Sequence, residues 1–110
     1  MNKVRRKEIR AIITKLQALV NNIKESGLTD IEDVLSDIIE DLEYILSEEE
    51  CYKDNIPENL QNGIRYEESE ESCDNLEEAI SILGYIDSSD SIEYATNNIN
   101  EAIDCLQNAV

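Results

Sequence analysis

Carboxylates are the side chains that this sequence offers in greatest number for chemistry. The chain has 26 Asp and Glu residues against nine Lys and Arg, no His, and a formal net charge of −17. Paired carboxylates can perform general acid–base catalysis when one of them has a shifted pKa inside a pocket. The densest group, called the acidic array below, comprises Glu67, Glu68, Glu70, Glu71, Asp74, Glu77 and Glu78. A second group, the secondary acidic patch, comprises Glu48, Glu49 and Glu50.

The residues that most enzymes and metal sites require are missing. Without His, the chain has no Ser–His or Cys–His nucleophile pair and no conventional zinc or di-iron site. A glycine-rich phosphate loop is absent, and the calcium-loop-like stretch from Asp87 has Ile92 where the loop needs Gly. We therefore expect no catalytic residue, no metal and no cofactor, and predict that the protein is not an enzyme.

The three cysteines are too far apart for a thiolate metal or redox motif. They are Cys51, Cys73 and Cys105, an odd number that argues against a disulfide framework. Because they lie on or beside apolar faces, we expect them to be reduced, buried and small hydrophobic residues.

Apolar residues recur at helical spacing in four segments. The pattern predicts helices at about residues 2–26, 30–53, 64–86 and 90–109, with 54–63 as the main connection because it contains Pro57 and Asn62–Gly63. Within the connection, Ile56 and Leu60 could fold back onto the end of the bundle. The apolar stripes are Ile9, Ile12, Leu16, Leu19 and Ile23; Ile31, Leu35, Ile38, Leu42 and Ile45; Cys73, Leu76, Ile80 and Leu83; and Ile92, Ala95, Ile99, Ala102, Leu106 and Ala109 or Val110.

Four amphipathic segments with short links favour one all-α domain over residues 1–110, an antiparallel bundle of about four helices. The alternative is a helical hairpin dimer, in which long helices exchange faces between two chains. Gly27 is expected to end the first helix in the left-handed conformation. Thr29 with Glu32, and Asp90 with Glu93, are expected to form capping boxes.

Charge is unevenly distributed along the chain. Residues 1–24 carry seven bases and one acid, a net charge of +6, whereas residues 25–110 carry 25 acids and two bases, a net charge of −23. Such a body repels nucleic acids and membrane surfaces and attracts basic proteins. With no apolar run long enough to span a membrane and no signal-peptide pattern, we expect a cytoplasmic protein.

A family resemblance lies in the connection and the segments around it. Residues 52–66 (YKDNIPENLQNGIRY), 73–80 (CDNLEEAI) and 5–9 (RRKEI) resemble small acidic helical proteins encoded by phages and prophages of Gram-positive bacteria. The resemblance covers roughly half of the chain and does not extend to residues 27–46. That family has no settled activity, but its origin implies the cytoplasm of a bacterial host. It also suggests a class of function, because small acidic phage proteins, such as anti-CRISPR proteins, often block nucleic-acid-binding defence proteins.

Two functions follow from these observations. The first is a non-enzymatic inhibitor whose acidic array binds a basic host protein, for example as a nucleic-acid mimic or as an anti-CRISPR-type inhibitor of a defence nuclease. The second is a structural or adaptor coiled-coil module that assembles with itself, as a homodimer, or with a partner helix. For either function the acids could also serve only as a solvated surface that keeps the protein in solution.

Overall fold

The computed structural model describes all 110 residues, and helices account for most of them. The elements are α1 (Lys3–Ser26), α2 (Ile31–Asp54), α3 (Ile64–Gly84) and α4 (Ile92–Ala109), with one turn of 3-10 helix at Glu58–Leu60. Every predicted helix is present, and each predicted boundary is correct to within two residues. None of the helices combines the length and the apolar character needed to cross a lipid bilayer.

The helices form an elongated antiparallel bundle with extents of 52 × 21 × 19 Å. Close packing joins α1 to α4, α4 to α3, and α3 to α2, while α1 and α2 approach each other least. In this ring the basic α1 lies beside α4 and α2, as its charge suggests, and diagonally across from α3. The all-α bundle predicted from the stripes is therefore confirmed.

One core of 23 buried residues draws on all four helices. Leu16, Leu42, Leu76 and Leu106, one from each helix, are fully buried. One chain thus buries its own stripes without the exchange of faces that a hairpin dimer requires. Three stripe positions were wrong in detail, because Leu19 and Ile80 are only partly buried and Ile92 is 43% exposed.

Alanines explain why α4 approaches two neighbours so closely. Ala95, Ala102 and Ala109 repeat every seven residues and are buried. Their short side chains let the backbone of α4 come near α1 and α3. By contrast, α1 and α2 approach each other least, and the surface groove between them is lined by larger side chains such as Ile12, Tyr44 and Ile45.

The turn between α1 and α2 differs from the predicted capping. Gly27 ends α1 as predicted and has a positive φ of 78°, but its ψ of −163° is extended, so the predicted left-handed helical conformation is wrong. Asp30 instead adopts the left-handed conformation and caps α2 without a side-chain hydrogen bond. The Thr29–Glu32 box does not form, because Asp30 is the N-cap and Glu32 is therefore the second residue of α2 instead of the third. The Glu32 carboxylate accepts a hydrogen bond from the backbone N–H of Ser88 at 3.0 Å.

The start of α4 also uses a different cap. Ser91, rather than Asp90, is the capping residue, and its Oγ accepts a hydrogen bond from the Tyr94 N–H at 3.1 Å. Asp90 lies one residue outside this first turn and accepts from the N–H of Asp87 at 2.9 Å. The predicted box with Glu93 is therefore wrong by one position.

Candidate functional site

The acidic array occupies the outer face of α3, and all seven of its side chains are exposed. Steps of three and four residues carry it along the helix from Glu67 to Glu78. At 1.5 Å of rise per residue, it extends about 16 Å along the axis. The structure therefore brings together every residue that the sequence assigned to this group.

Acids of the two neighbouring helices extend the array sideways. Glu50 of α2 lies near Cys73 together with Glu77 of the array. On the other side, Glu101 and Asp104 of α4 surround Cys105 together with Glu78. The negative surface centred on α3 therefore reaches both neighbouring helices, with Lys53 of α2 as a positive charge near Cys73 and Glu70.

Almost none of this negative charge is neutralised within the molecule. Only two ion pairs have nitrogen–oxygen distances within 4.0 Å, and both involve Glu49. The other 25 Asp and Glu side chains have no basic partner at that distance. Their charge is therefore available to a partner, subject to screening by salt.

A separate group of positive charges lies along α1. Lys3, Arg6, Lys7 and Arg10 recur at helical spacing on α1, are exposed, and take part in no ion pair. Although α1 is diagonal to α3, the two helices come close at one end of the bundle, where Arg6 lines the same surface groove as Glu68 and Glu71 of the acidic array. No α1 cation lies within 4.0 Å of an acid of the array.

Glu49 corrects the prediction of a secondary acidic patch. Its neighbours Glu48 and Glu50 are partly exposed, but Glu49 is fully buried. Arg5 Nε donates to Glu49 Oε1 at 3.0 Å, and Ser69 Oγ donates to Oε2. The α-ammonium group of Met1 lies 3.8 Å from the same Oε2.

The register of the stripes explains why Glu49 is buried. It follows Ile45 by four residues and precedes Tyr52 by three, so it continues the core-facing side of α2. Arg5 likewise precedes Ile9 by four residues on α1, and Ser69 precedes Cys73 by four on α3. The register of the apolar stripes is the sequence signal that could have indicated each of these three positions as core-facing, but not their contact with one another.

The layer of Arg5, Glu49 and Ser69, called the polar layer below, closes one end of the core. The Arg5 guanidinium also lies 5.7 Å from the centre of the Tyr52 ring. A buried ion pair contributes less to stability than to the choice of one arrangement, because separating the two charges is costly. The polar layer can therefore fix the register of α1, α2 and α3.

Two of the three cysteines are buried as expected. Burial raises the pKa of the Cys73 thiol to about 11, although nearby Lys53 acts in the opposite direction. Burial, followed by the charge of Glu78, also raises the pKa of Cys105. The expectation was wrong for Cys51, which is exposed on α2. All three thiols are free.

No group of three or more Cys, Asp or Glu side chains is arranged to hold a metal ion. No family model, curated protein or solved structure matches this chain. The resemblance to phage-encoded proteins therefore stays a prediction.

Proposed function

We propose that this protein is a non-enzymatic inhibitor that binds a basic protein through the acidic array on α3. The observation that supports this most is the exposure of seven carboxylates on one helix, none of them paired with a basic side chain. A helix held in a packed bundle presents these charges without first having to be ordered. The entropic cost of binding is correspondingly smaller.

The density of charge favours a partner that normally binds nucleic acid. Seven carboxylates over about 16 Å give roughly one charge per 2.4 Å of helix axis. Duplex DNA carries about one charge per 1.7 Å. Glu50, Glu101 and Asp104 beside the array bring the two values closer. A basic groove built for phosphates would therefore find a comparable surface here.

The class of partner that we propose is a nucleic-acid-binding defence protein of a bacterial host, such as a nuclease or a CRISPR effector. The sequence resemblance to small acidic phage and prophage proteins supports this choice, and the proposed site of action is the host cytoplasm. An adaptor that binds through its apolar stripes is less well supported, because those stripes are buried in the protein's own core.

Capture of partners from a host lysate tests the proposal with three baits. The first is the wild-type protein, and the second reverses four acids of the array in Glu67→Lys, Glu68→Lys, Glu70→Lys and Glu71→Lys. The third is a control with the same change in net charge, placed on the exposed side of α2: Asp33→Lys, Asp37→Lys, Glu40→Lys and Asp41→Lys.

We expect the wild-type protein and the α2 control to retain a basic partner, and the array variant to lose it. Like charges facing each other across an interface cost several kcal/mol. Equal loss with both variants would show that only net charge matters. Equal retention would show that α3 is not the binding face.

A further inference from the structure

The hairpin between α2 and α3 extends beyond the ends of the other two helices. The Arg5–Glu49 pair places the beginning of α1 level with residue 49 of α2, yet α2 continues for five more residues. Ser72 Oγ donates to the carbonyl oxygen of Ala109 at 3.0 Å, which places the end of α4 level with residue 72 of α3. Because α3 begins eight residues earlier, residues 51–66, called the tip below, extend beyond the ends of α1 and α4, with the Arg5 guanidinium of α1 near the Tyr52 ring at the base of the tip.

The tip carries apolar side chains that the core does not use. They border a groove of about 570 Å³, which is also lined by Arg65. Ile64 is 72% exposed, Leu60 55% and Tyr52 38%. Leu60 was expected to fold back onto the bundle, but the polar layer closes the core before the tip begins. Clustered apolar exposure of this kind is typical of an interaction surface.

The tip is also electrically neutral in an otherwise acidic body. Between Glu50 and Glu67 the chain has two acids, Asp54 and Glu58, and two bases, Lys53 and Arg65. Lys53 and Arg65 are the only basic residues after Lys24. A purely basic partner gains little from a neutral surface, whereas a second acidic chain can approach here without acid facing acid.

We propose that the tip is a dimerisation surface whose occupant is the tip of a second copy of this chain. In a twofold contact the same patch faces itself, so each of the two bases can meet an acid of the other copy. The molecule is 52 Å long, so an end-to-end contact directs most of the two acidic bodies away from each other. Most carboxylates of one body are then further from those of the other than the Debye length, which is about 8 Å at physiological salt. Salt therefore screens most of the repulsion between the two bodies.

The size of the tip sets the expected strength of the dimer. Stable interfaces use roughly 20–30 residues from each partner. The tip contains only the residues between Glu50 and Glu67, so we expect a weak dimer that forms in the micromolar range or above. Salt should strengthen it, because salt screens the repulsion between the acidic bodies and leaves the apolar contact intact.

Sedimentation equilibrium of the full chain, from about 1 μM to 1 mM, tests this proposal. Ile64→Asp places a charge in the groove and should weaken dimerisation at least tenfold. Because Ile64 is the first residue of α3, an Asp there suits the helix N-terminus and should leave the fold intact. Leu60→Asp provides a second test from the other side of the groove.

Tyr85→Asp is the matched control, because Tyr85 is 75% exposed and lies at the opposite end of α3. Its dimerisation should equal that of the wild-type protein. A wild-type chain that stays monomeric at 1 mM, or a dimer that both tip variants leave unchanged, would overturn the proposal. So would a dimer that Tyr85→Asp weakens as much as Ile64→Asp does.

Discussion

Replacing the buried Glu49 by Gln probes the polar layer directly. The substitution keeps the shape of the side chain but removes its negative charge, so the Arg5 guanidinium then faces a neutral amide. Breaking a buried ion pair by changing one partner typically costs about 3–5 kcal/mol. The Arg5 side chain keeps 10% of its exposure and lies near the Tyr52 ring, so some solvation remains. We therefore expect a cost near the lower end, about 3 kcal/mol.

That loss is large for a domain of this size. Native stabilities are typically about 5–15 kcal/mol. For a chain of about 100 residues, each kcal/mol shifts the melting temperature by roughly 4 °C, so Glu49→Gln should lower it by about 12 °C. Urea unfolding followed by far-ultraviolet circular dichroism measures the change in free energy. Glu48→Gln, one residue away and without an ion pair, is the control and should change stability by less than about 0.5 kcal/mol.

A double variant separates the cost of an unpaired charge from the cost of lost packing. Arg5→Met with Glu49→Leu removes both side-chain charges and should recover part of the stability that Glu49→Gln loses, since apolar replacements of buried pairs are often neutral. The recovery should be incomplete, because the Met1 α-ammonium and Ser69 Oγ also lose their contact with Glu49. The reasoning fails if Glu49→Gln costs less than about 1 kcal/mol or if it matches Glu48→Gln. Either result would mean that Glu49 is not held as a buried ion in solution.

Three further predictions concern the core, the surface and the thiols. The first concerns Leu→Ala changes at the four central core positions, which are Leu16, Leu42, Leu76 and Leu106. Each change should lower the free energy of unfolding in urea by about 2–5 kcal/mol. A loss below about 1 kcal/mol at three of the four positions would contradict the packing. The melting temperature should rise between low salt and about 0.5 M salt, because the exposed carboxylates repel one another, and a constant value would contradict this account of the surface. At pH 8, iodoacetamide should modify Cys51 readily and Cys73 far more slowly, since a pKa of about 11 instead of 9.0 leaves roughly a hundredfold less thiolate. The raised pKa of Cys73 also means that its contribution to stability is complete below about pH 9 and is lost as the pH rises towards 11. Equal modification rates at Cys51 and Cys73 would show that Cys73 is accessible.

The helices could be predicted from the sequence because their signals are local. Apolar residues at steps of three and four persist through each segment, and Gly27 and Pro57 interrupt the pattern where helices end or connections begin. The same periodicity places the acidic array on the outer side of α3, since its acids lie out of register with Leu76 and Leu83. Both predictions need only information from within one helix.

The polar layer depends on contacts between helices, and the sequence prediction missed it for that reason. Glu49 was assigned to the surface by its residue type, although its register with Ile45 indicates the core. Its burial becomes tolerable only because Arg5 lies opposite, 44 positions earlier in the chain. Cys51 was misplaced for the complementary reason, since a residue type that is usually buried lies on an outward-facing position of α2.

The capping residues of α2 and α4 could not be predicted correctly from local sequence motifs either. Glu32 follows Thr29 at the spacing of a capping box, but its carboxylate binds Ser88 of the turn between α3 and α4. The helix begins one residue later than the capping box requires, after the left-handed Asp30. The spacing of Thr29 and Glu32 alone does not show at which residue the helix begins.

The affinity of a captured basic partner for the wild-type protein, the four-residue array variant and the matched α2 control tests the central claim most directly. Measured by calorimetry at about 0.15 M salt, the array variant should bind at least 100-fold more weakly, a loss of about 2.7 kcal/mol. The α2 control should remain within about tenfold of wild type, or about 1.4 kcal/mol, since it alters long-range attraction but not the contact face. Unchanged affinity of the array variant, with its helix content preserved, would contradict the assignment of α3 as the binding face.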